Sequence, residues 1–389
     1  MPADETFIGR LPDQREYLEL GRNLRHGRGL QFTDPRFGDV VHAYRTPGYP
    51  LLVAACGGNV RAVRVVQALL DTSTVLATYL LARRWLSEGK SILAALLVAV
   101  HPYLIYFTAL VLSETLYTAM LAWGMALMVR EKRGRWCAGA ILLALSVLVR
   151  PSAILLPVVL AIGAAVVNRG RGPAYQSRWS PPVGATLLIL IGLSLLPWAY
   201  RNSSVLGSWI WTTTNTGITA YDGFNPDATG ASDQSFVRSM PQLRDMSEIE
   251  RSHYLGDLAA RYVREHPQRA LLLALVKIAR TWSPVPLSDE YGGNWKYVTA
   301  AMAFMVPFYL MILYGLWFGS PPTAAKVFLL LPAIYFTVAH ALSVGSLRYR
   351  IPADVPMAVI AASMQFSAKS ARSDTDEPAP ASSPAASPD

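Results

Sequence analysis

The sequence PDQREY at residues 12–17 and the sequence HAYRTPGYP at residues 42–50 belong to a polar, charged stretch, and almost everything after it consists of apolar runs of helix length. This stretch places a carboxylate, Asp13, and a guanidinium, Arg45, directly ahead of those runs. A charged loop that leads into a membrane bundle is where we expect the chemistry of the chain, and the rest of the sequence is organised around it.

Composition predicts an integral membrane protein. Hydrophobic residues make up 52% of the 389 residues and charged residues only 16%, with a mean hydropathy of +0.28, whereas an ordinary soluble protein has about 25% charged residues. The net charge of +9 comes from short basic clusters between apolar runs, not from a basic stripe with interleaved aromatic residues, which argues against a nucleic-acid partner. Cys56 and Cys137 lack CxxC spacing and predict neither a disulfide framework nor a thiolate metal site.

The predicted fold class is an all-α polytopic membrane protein with about nine visible transmembrane helices and an active site on its outward loops. A helix needs about 20 residues to cross a hydrocarbon core of about 30 Å. Apolar runs approach or reach that length at 63–85, 91–112, 114–130, 136–150, 151–168, 182–200, 297–318, 324–345 and 351–367. Arg150-Pro151 divides the run from 136 to 167, because proline cannot donate a hydrogen bond and disfavours helix in the residue before it.

Basic residues between alternate runs predict the orientation. The clusters at 83–90, 130–135, 168–178 and 326 fall on one side, which the positive-inside rule makes cytoplasmic. We therefore divide the chain into a first outward catalytic loop with short helices (1–60), a transmembrane bundle (61–200), an outward region with interfacial helices (201–296), C-terminal transmembrane helices (297–367) and a disordered cytoplasmic tail (368–389). Within the outward region we expect a charged helix at 247–266 and a helix at 270–282 that lies at the membrane interface.

The amino end raises a question of topology. Residues 1–50 lack the basic and apolar regions of a signal peptide. With nine spans and a cytoplasmic tail, the polar amino end must itself cross the membrane, and residues 1–11 are not apolar enough to drive that. We therefore expect a tenth span of about 20 apolar residues upstream of Met1 in the native protein.

Two acids are candidate catalytic residues. Asp13 can accept a proton from a hydroxyl nucleophile; the alternative is a capping box with Glu16 at the start of a helix at 14–26. Glu114 follows Ser113 between two apolar runs, where an acid is costly unless it has a partner. Its alternative role is to interact with the positive end of the helix that it begins.

Three arginines are candidate ligands of a phosphate or another anion. Arg348 and Arg350 lie just before Pro352, at the amino end of the last span, where free N–H groups favour an anion; the alternative is that both side chains snorkel to the interface. Arg45 precedes a turn made rigid by proline and glycine, although a plain interfacial arginine is an equal alternative. Guanidinium groups bind phosphate in a bidentate manner.

Tyr17, His101, Tyr349 and His340 are possible supporting residues. For each histidine, which lies alone in an apolar run, a hydrogen-bonded structural role is the alternative. No cluster of acids and histidines has metal-ligand spacing, so the sequence supports no metal site, and it contains no glycine-rich phosphate loop or Gly-x-Ser-x-Gly elbow.

An ordered series of motifs is similar to that of bacterial polytopic glycosyltransferases. It comprises Asp13 with Tyr17-Leu18-Glu19-Leu20 and Asn23-Leu24, Gly27-Arg28-Gly29, RTPGYP at 45–50, His101-Pro102, SETL at 113–116, Arg150-Pro151, Pro197-Trp198, Arg201-Asn202, and Arg348-Tyr349-Arg350 with Pro352. The chain thus resembles the C-type glycosyltransferase superfamily over residues 10–365. Within that superfamily it resembles the branch of the protein O-mannosyltransferases and lipid A aminoarabinose transferases, and is similar to glycosyltransferase family 39.

The resemblance implies an inner-membrane enzyme with its active site on the extracytoplasmic side. Such proteins move a sugar from a polyprenyl-phosphate donor to a hydroxyl acceptor on a lipid, glycan or protein, usually with inversion. It implies that Asp13 is the catalytic aspartate of the first loop, that Arg45 contacts the lipid phosphate, and that Glu114 is the acid of the second outward loop. Many relatives have a second acid directly after the aspartate, whereas Gln14 stands here, which leaves fewer carboxylates for a divalent cation.

Two other functions are compatible with the same pattern. A lipid or polysaccharide transporter also uses intramembrane charges, but transporters commonly contain internal repeats, and the sequence shows none. A non-catalytic membrane scaffold of the same fold is the other alternative.

Overall fold

The computed structural model describes residues 11–130, 132–169, 183–287 and 294–364, and helices dominate it. Residues 1–10, the basic residues predicted to be cytoplasmic beyond 169, the end of the last predicted span and the tail at 368–389 lie outside this description.

Two short helices and a small ladder form the amino-terminal part. Helix α1 (Pro12–Arg25) packs against α2 (Gly48–Ala55). Their close approach depends on Gly21, since a Cβ there would lie 2.4 Å from Cγ1 of Val53. Between the helices, β1 (Phe32–Thr33) pairs antiparallel with β2 (Val40–Val41). This ladder turns the chain back, so that the segment with Arg45 returns to α1.

The first group of apolar helices follows directly. It comprises α3 (Val60–Ala82), α4 (Glu88–Ala99), α5 (Pro102–Thr108), α6 (Glu114–Met128), α7 (Arg133–Ser146), α8 (Leu156–Arg169) and α9 (Val183–Leu206). A 3₁₀ turn at Pro151–Ala153 separates α7 from α8. The predicted break at Arg150-Pro151 is therefore present.

The region after α9, which the sequence predicts to face outward, is helical and shares an apolar core with the amino-terminal part. It contains α10 (Thr216–Gly223), α11 (Phe236–Ser239), α12 (Glu248–Glu265) and α13 (Pro267–Thr281). A capping box between Ser247 and Glu250 begins α12, where the sequence predicts a helix. Helix α13 exposes leucines on one face, as expected of a helix that lies at a membrane interface.

The carboxy-terminal part places a short helix in the centre of the bundle. After α14 (Trp295–Phe318) and α15 (Thr323–Ala341), a 3₁₀ turn at Leu347–Tyr349 leads into α16 (Ile351–Ala361). Every residue of α16 is buried, and it packs against α3, α4, α6, α14 and α15. Apart from Asp354, this helix is apolar on all sides, as a helix enclosed by other helices can be, and its amino end holds the adjacent 3₁₀ turn in the bundle.

The polytopic helical class is confirmed, but nine spans are not. Among the described residues, five helical segments are long and apolar enough to cross a membrane, and α4 with α5 makes a sixth if this pair, bent by 52°, is one span. The helices at the other predicted positions are shorter: α6 has 15 residues, α7 has 14 and α16 has 11.

Candidate active site

Six charged side chains from five separate segments form an alternating chain of charges. In spatial order, they are Glu16, Arg45, Asp13, Arg348, Glu114 and Arg150. The segments are α1, the loop before α2, the start of α6, the residue before the 3₁₀ turn at Pro151, and the 3₁₀ turn before α16. Here we call these six residues the charge chain.

Short hydrogen bonds connect each member of the charge chain to the next. Nη2 of Arg45 lies 2.6 Å from Oδ1 of Asp13 and 2.6 Å from Oε2 of Glu16. Nη1 of Arg348 donates to Oδ2 of Asp13 at 2.6 Å, and its Nε donates to Oε1 of Glu114. Nη2 of Arg150 donates to the same Glu114 oxygen at 3.0 Å. Asp13 therefore uses one oxygen for each of two arginines.

The geometry of α1 directs two of its three acids, Asp13 and Glu16, toward Arg45. Asp13 and Glu16 are three residues apart and so lie on one face of the helix. The alternative role of Asp13 as a helix cap is wrong, because α1 begins at Pro12 with Leu11 at the N-cap and without a side-chain cap. Gln14 lies on a different face, where its Oε1 accepts the N–H of Val111 at 2.8 Å. The residue that departs from the family pattern thus supports the loop before Glu114.

The turn that follows Arg45 packs on the backbone that leads to Arg150. The N–H of Gly48 donates to the carbonyl of Leu148 at 2.9 Å, and a Cβ on Gly48 would lie only 2.7 Å from that oxygen. Position 48 therefore requires glycine, because the turn lies too close to the backbone of Leu148 for a side chain. The guanidinium of Arg45 also lies over the rings of Tyr17 and Tyr44, at 5.3 and 5.2 Å from their centroids.

The outward region holds the same loop from its other side. The buried carboxylate of Glu248, at the start of α12, accepts the N–H groups of His42 and Ala43 at 2.9 and 3.2 Å. It also accepts the hydroxyl of Thr214 at 2.8 Å. Since these N–H groups lie just before Arg45, Glu248 fixes the backbone from which this arginine extends.

Glu114 is the first residue of α6 and is 1% exposed. The positive end of the helix stabilises its carboxylate, and Arg150 and Arg348 supply the partners that a buried acid needs. Glu114 therefore has both the partners that a buried acid needs and the interaction with the helix end, and its catalytic role stays a prediction.

An aromatic pair completes the inner end of the charge chain. The rings of His340 and Tyr349 stack 3.9 Å apart at an angle of 7°. The buried guanidinium of Arg150 lies 5.5 Å from the centroid of Tyr349 and 5.6 Å from that of Tyr117. Three of the predicted supporting residues, Tyr17, His340 and Tyr349, therefore lie beside arginines of the charge chain.

Arg350 and His101 lie in a second buried cluster. Nη1 of Arg350 donates to the carbonyls of Thr281 and Ser283 at 2.9 and 2.6 Å, and its Nε lies 3.5 Å from Oδ2 of Asp354. Nε2 of His101 lies 3.3 Å from the same oxygen. The expectation that Arg350 joins Arg348 is corrected here, because side chains two residues apart do not face the same side of a helical turn.

The electrostatics of the charge chain favour an ionised Asp13. Burial alone would raise the pKa of Asp13, but Arg45 and Arg348 outweigh it and hold the pKa well below its ordinary value. At Glu16 burial prevails over Arg45, and the pKa is raised. The side chain of Asp13 is 29% exposed and that of Glu114 only 1%. The charge chain is thus accessible to solvent at Asp13 and buried at Glu114.

The sequence arguments did not identify Glu16 and Arg150 as site residues. The signal for Glu16 was its helical spacing from Asp13, which had been assigned to capping. The signal for Arg150 was a basic residue on the side predicted to be outward, where the positive-inside rule disfavours it. No group of three or more acid, histidine or cysteine side chains in the described part of the chain could hold a metal ion.

A family model described as dolichyl-phosphate-mannose-protein mannosyltransferase matches residues 50–198. The resemblance to the C-type glycosyltransferase superfamily is confirmed. The matched residues include Glu114 and Arg150, whereas Asp13, Arg45 and Arg348 lie outside them. A search of curated protein sequences found no significant match.

Two solved structures of the superfamily share the fold. One is the oligosaccharyltransferase AglB from Archaeoglobus fulgidus in complex with an inhibitory peptide and a dolichol-phosphate, with a TM-score of 0.51 and 12% identity. The other is the Archaeoglobus fulgidus oligosaccharyltransferase tethered to an acceptor peptide with the NVT sequon, with a TM-score of 0.50 and 14% identity. Each comparison covers 90% of this chain and 45% of the other. The chain thus spans slightly less than half the length of these proteins, and at such identities the similarity concerns the fold.

Proposed function

We propose that the chain is an integral membrane glycosyltransferase that moves a sugar from a polyprenyl-phosphate donor to a hydroxyl acceptor on the outer face of the membrane, with inversion. The observation that carries the proposal is the charge chain, which places an ionised carboxylate between two guanidinium groups at the end of an apolar bundle. The dolichol-phosphate in the AglB complex supports a lipid phosphate as the leaving group.

The reaction is a single displacement at the anomeric carbon. The acceptor oxygen forms a bond to that carbon as the bond to the phosphate oxygen breaks, and the electron pair leaves with polyprenyl phosphate. Asp13 takes the proton of the acceptor hydroxyl. Arg45 and Arg348 stabilise the negative charge that develops on the leaving phosphate.

Binding of the donor requires the arginines to change partners. While Asp13 is bonded to both arginines, its low pKa makes it a weak base. A phosphate that takes over these guanidinium groups removes the interactions that stabilise the carboxylate, so the pKa of Asp13 rises. Donor binding therefore prepares the base, and Asp13 becomes competent only when the leaving group is in place.

Glu114 and Arg150 position Arg348 in this mechanism. Glu114 is buried and bonded to both arginines, so it keeps Arg348 at the site when Asp13 releases that arginine. Arg150 compensates the charge of Glu114 and is itself held between two aromatic rings.

The direct test is release of free polyprenyl phosphate by purified protein from a polyprenyl-phosphate sugar. We expect release that depends on a hydroxyl acceptor and is lost in Asp13→Asn, whereas the control Glu250→Gln, an exposed cap of α12, retains activity. Transport of the intact donor across a vesicle membrane without cleavage would refute the proposal, and so would full activity of Asp13→Asn.

A further inference from the structure

Asp71 is an acid in the middle of α3, on the outside of the bundle. At roughly 1.5 Å per residue it lies about 16 Å beyond Val60, about half-way across a hydrocarbon core of about 30 Å. Its side chain is half-buried. Within the described ranges, no side chain or backbone group forms a hydrogen bond or ion pair with its carboxyl group.

An acid at this depth is costly unless it has a polar partner. The nearest basic residue along α3 on the same side is Arg64, whose Nε donates to the carbonyl of Ala109 at 2.7 Å. The partner of Asp71 must therefore come from outside the described fold, at the same depth in the membrane.

The surface next to Asp71 suits close approach by another helix. Ala68 and Thr72 are exposed beside it, and small residues let helix backbones approach closely in a membrane. Oγ1 of Thr72 donates to the carbonyl of Ala68 at 2.8 Å, so its hydrogen is used while its oxygen can still accept. The adjacent Val65 and Leu69 are 60% and 65% exposed and would be covered by a docked helix.

We propose that this face of α3 docks on the same face of a second copy of the chain, with the Asp71 carboxyl of each copy donating to the Thr72 hydroxyl oxygen of the other. A carboxyl group surrounded by hydrocarbon is uncharged and can therefore donate a hydrogen bond.

A second copy fits because two chains in one membrane have the same orientation. Residues 71 and 72 then lie at equal depth in both, and a two-fold axis along the membrane normal makes the contact reciprocal. Donor and acceptor are both present on this face, so the surface complements itself. The charge chain is not part of the contact, and the proposal does not depend on the catalytic one.

Disulfide cross-linking in reconstituted bilayers tests this contact. In a background with Cys56 and Cys137 replaced by serine, Ala68→Cys should form a dimer, whereas Leu193→Cys, 60% exposed on α9, should not. Adding Asp71→Leu or Thr72→Val should each reduce the Ala68→Cys dimer about tenfold, because both reciprocal hydrogen bonds are lost. Asp71→Asn retains a donor and should preserve most of the dimer.

Photobleaching of the cysteine-free protein, labelled through a terminal tag and diluted in liposomes, gives an independent reading. Two-step bleaching that becomes one-step in Asp71→Leu supports the proposal. The proposal would be overturned by one-step bleaching of the protein with an unchanged α3 face, by equal cross-linking at residues 68 and 193, or by a dimer that Asp71→Leu leaves unchanged. Cross-linking of residue 68 to a different protein in native membranes, with a monomer in liposomes, would also overturn it and assign the face to another partner.

Discussion

Asp13→Asn should change turnover and donor affinity in opposite directions. Loss of the general base lowers turnover by about a hundred- to ten-thousand-fold. The same change removes one negative charge from a chain in which three carboxylates balance three guanidinium groups. Arg45 and Arg348 then bind the donor phosphate without competition from an ionised carboxylate.

The gain in affinity can be calculated from the contacts of Asp13. Its oxygens lie 2.6 Å from an Nη atom of each arginine, so a phosphate on the same groups would lie about 6 Å from the displaced carboxylate. Two unit charges at about 6 Å repel by about 1.4 kcal/mol at an effective dielectric of about 40. This value lies toward that of water because the Asp13 side chain is 29% exposed. Donor affinity should therefore rise about tenfold.

The assay compares two quantities on purified protein in nanodiscs. Polyprenyl phosphate binding is measured by titration, and turnover is measured by release of polyprenyl phosphate from the sugar donor. Glu16→Gln is the matched control, since it removes a carboxylate partner of Arg45 and leaves the base, so it should tighten binding and keep turnover. Weaker donor binding by a well-folded Asp13→Asn protein would refute the partner exchange.

Three further predictions concern the support of the site and the outward region. Glu248→Gln should raise the KM for the donor about tenfold, because an amide satisfies the backbone N–H groups before Arg45 less well; a normal KM would show that Glu248 is not needed to position Arg45. Gly48→Ala should cost about 1–3 kcal/mol in chemical denaturation, since a Cβ meets a carbonyl oxygen at 2.7 Å, whereas Gly89→Ala, with open space around it, should not destabilise. Burial lowers the pKa of Lys277 to about 8, although the nearby acid Asp222 acts in the opposite direction. The folded state therefore binds fewer protons than the unfolded state between pH 8 and about 10. Native stability should rise with pH across that window relative to Lys277→Met, and parallel pH curves would contradict the shift.

The order of polar motifs along the chain singled out four of the six residues of the charge chain. It singled out Asp13, Arg45, Glu114 and Arg348, and the structure brings these four residues together. The motifs succeed in this because charged residues are rare among apolar runs, so each one on the side predicted to face outward is a candidate.

Partner choice could not be read from the same pattern. Arg348 and Arg350 have the same features in the sequence, yet the 3₁₀ turn directs their side chains to different sides. The one local signal was Asp354, four residues after Arg350 and within reach of its guanidinium on a helix. The pairing of Arg150 with Glu114 depends on how α6 and α7 pack, which no local spacing encodes.

Hydropathy predicted the positions of the helices better than their lengths. Each predicted run contains a helix, but α6, α7 and α16 end earlier than the apolar sequence does. The reason for α16 is that a helix enclosed by other helices is as apolar as one enclosed by lipid. A composition rule cannot distinguish these two surroundings.

The balance of charges in the charge chain also determines which phosphates can compete for it. Inorganic phosphate or a soluble phosphate ester approaching from water meets arginines that are already neutralised, and it must displace a carboxylate to gain a contact. A phosphate anchored in the bilayer is confined near the site, so its effective concentration is far higher than that of a dissolved ion. In the proposed mechanism, a site without net charge thereby discriminates by anchoring as well as by chemistry, and it stays available to a lipid-anchored phosphate in the presence of dissolved anions.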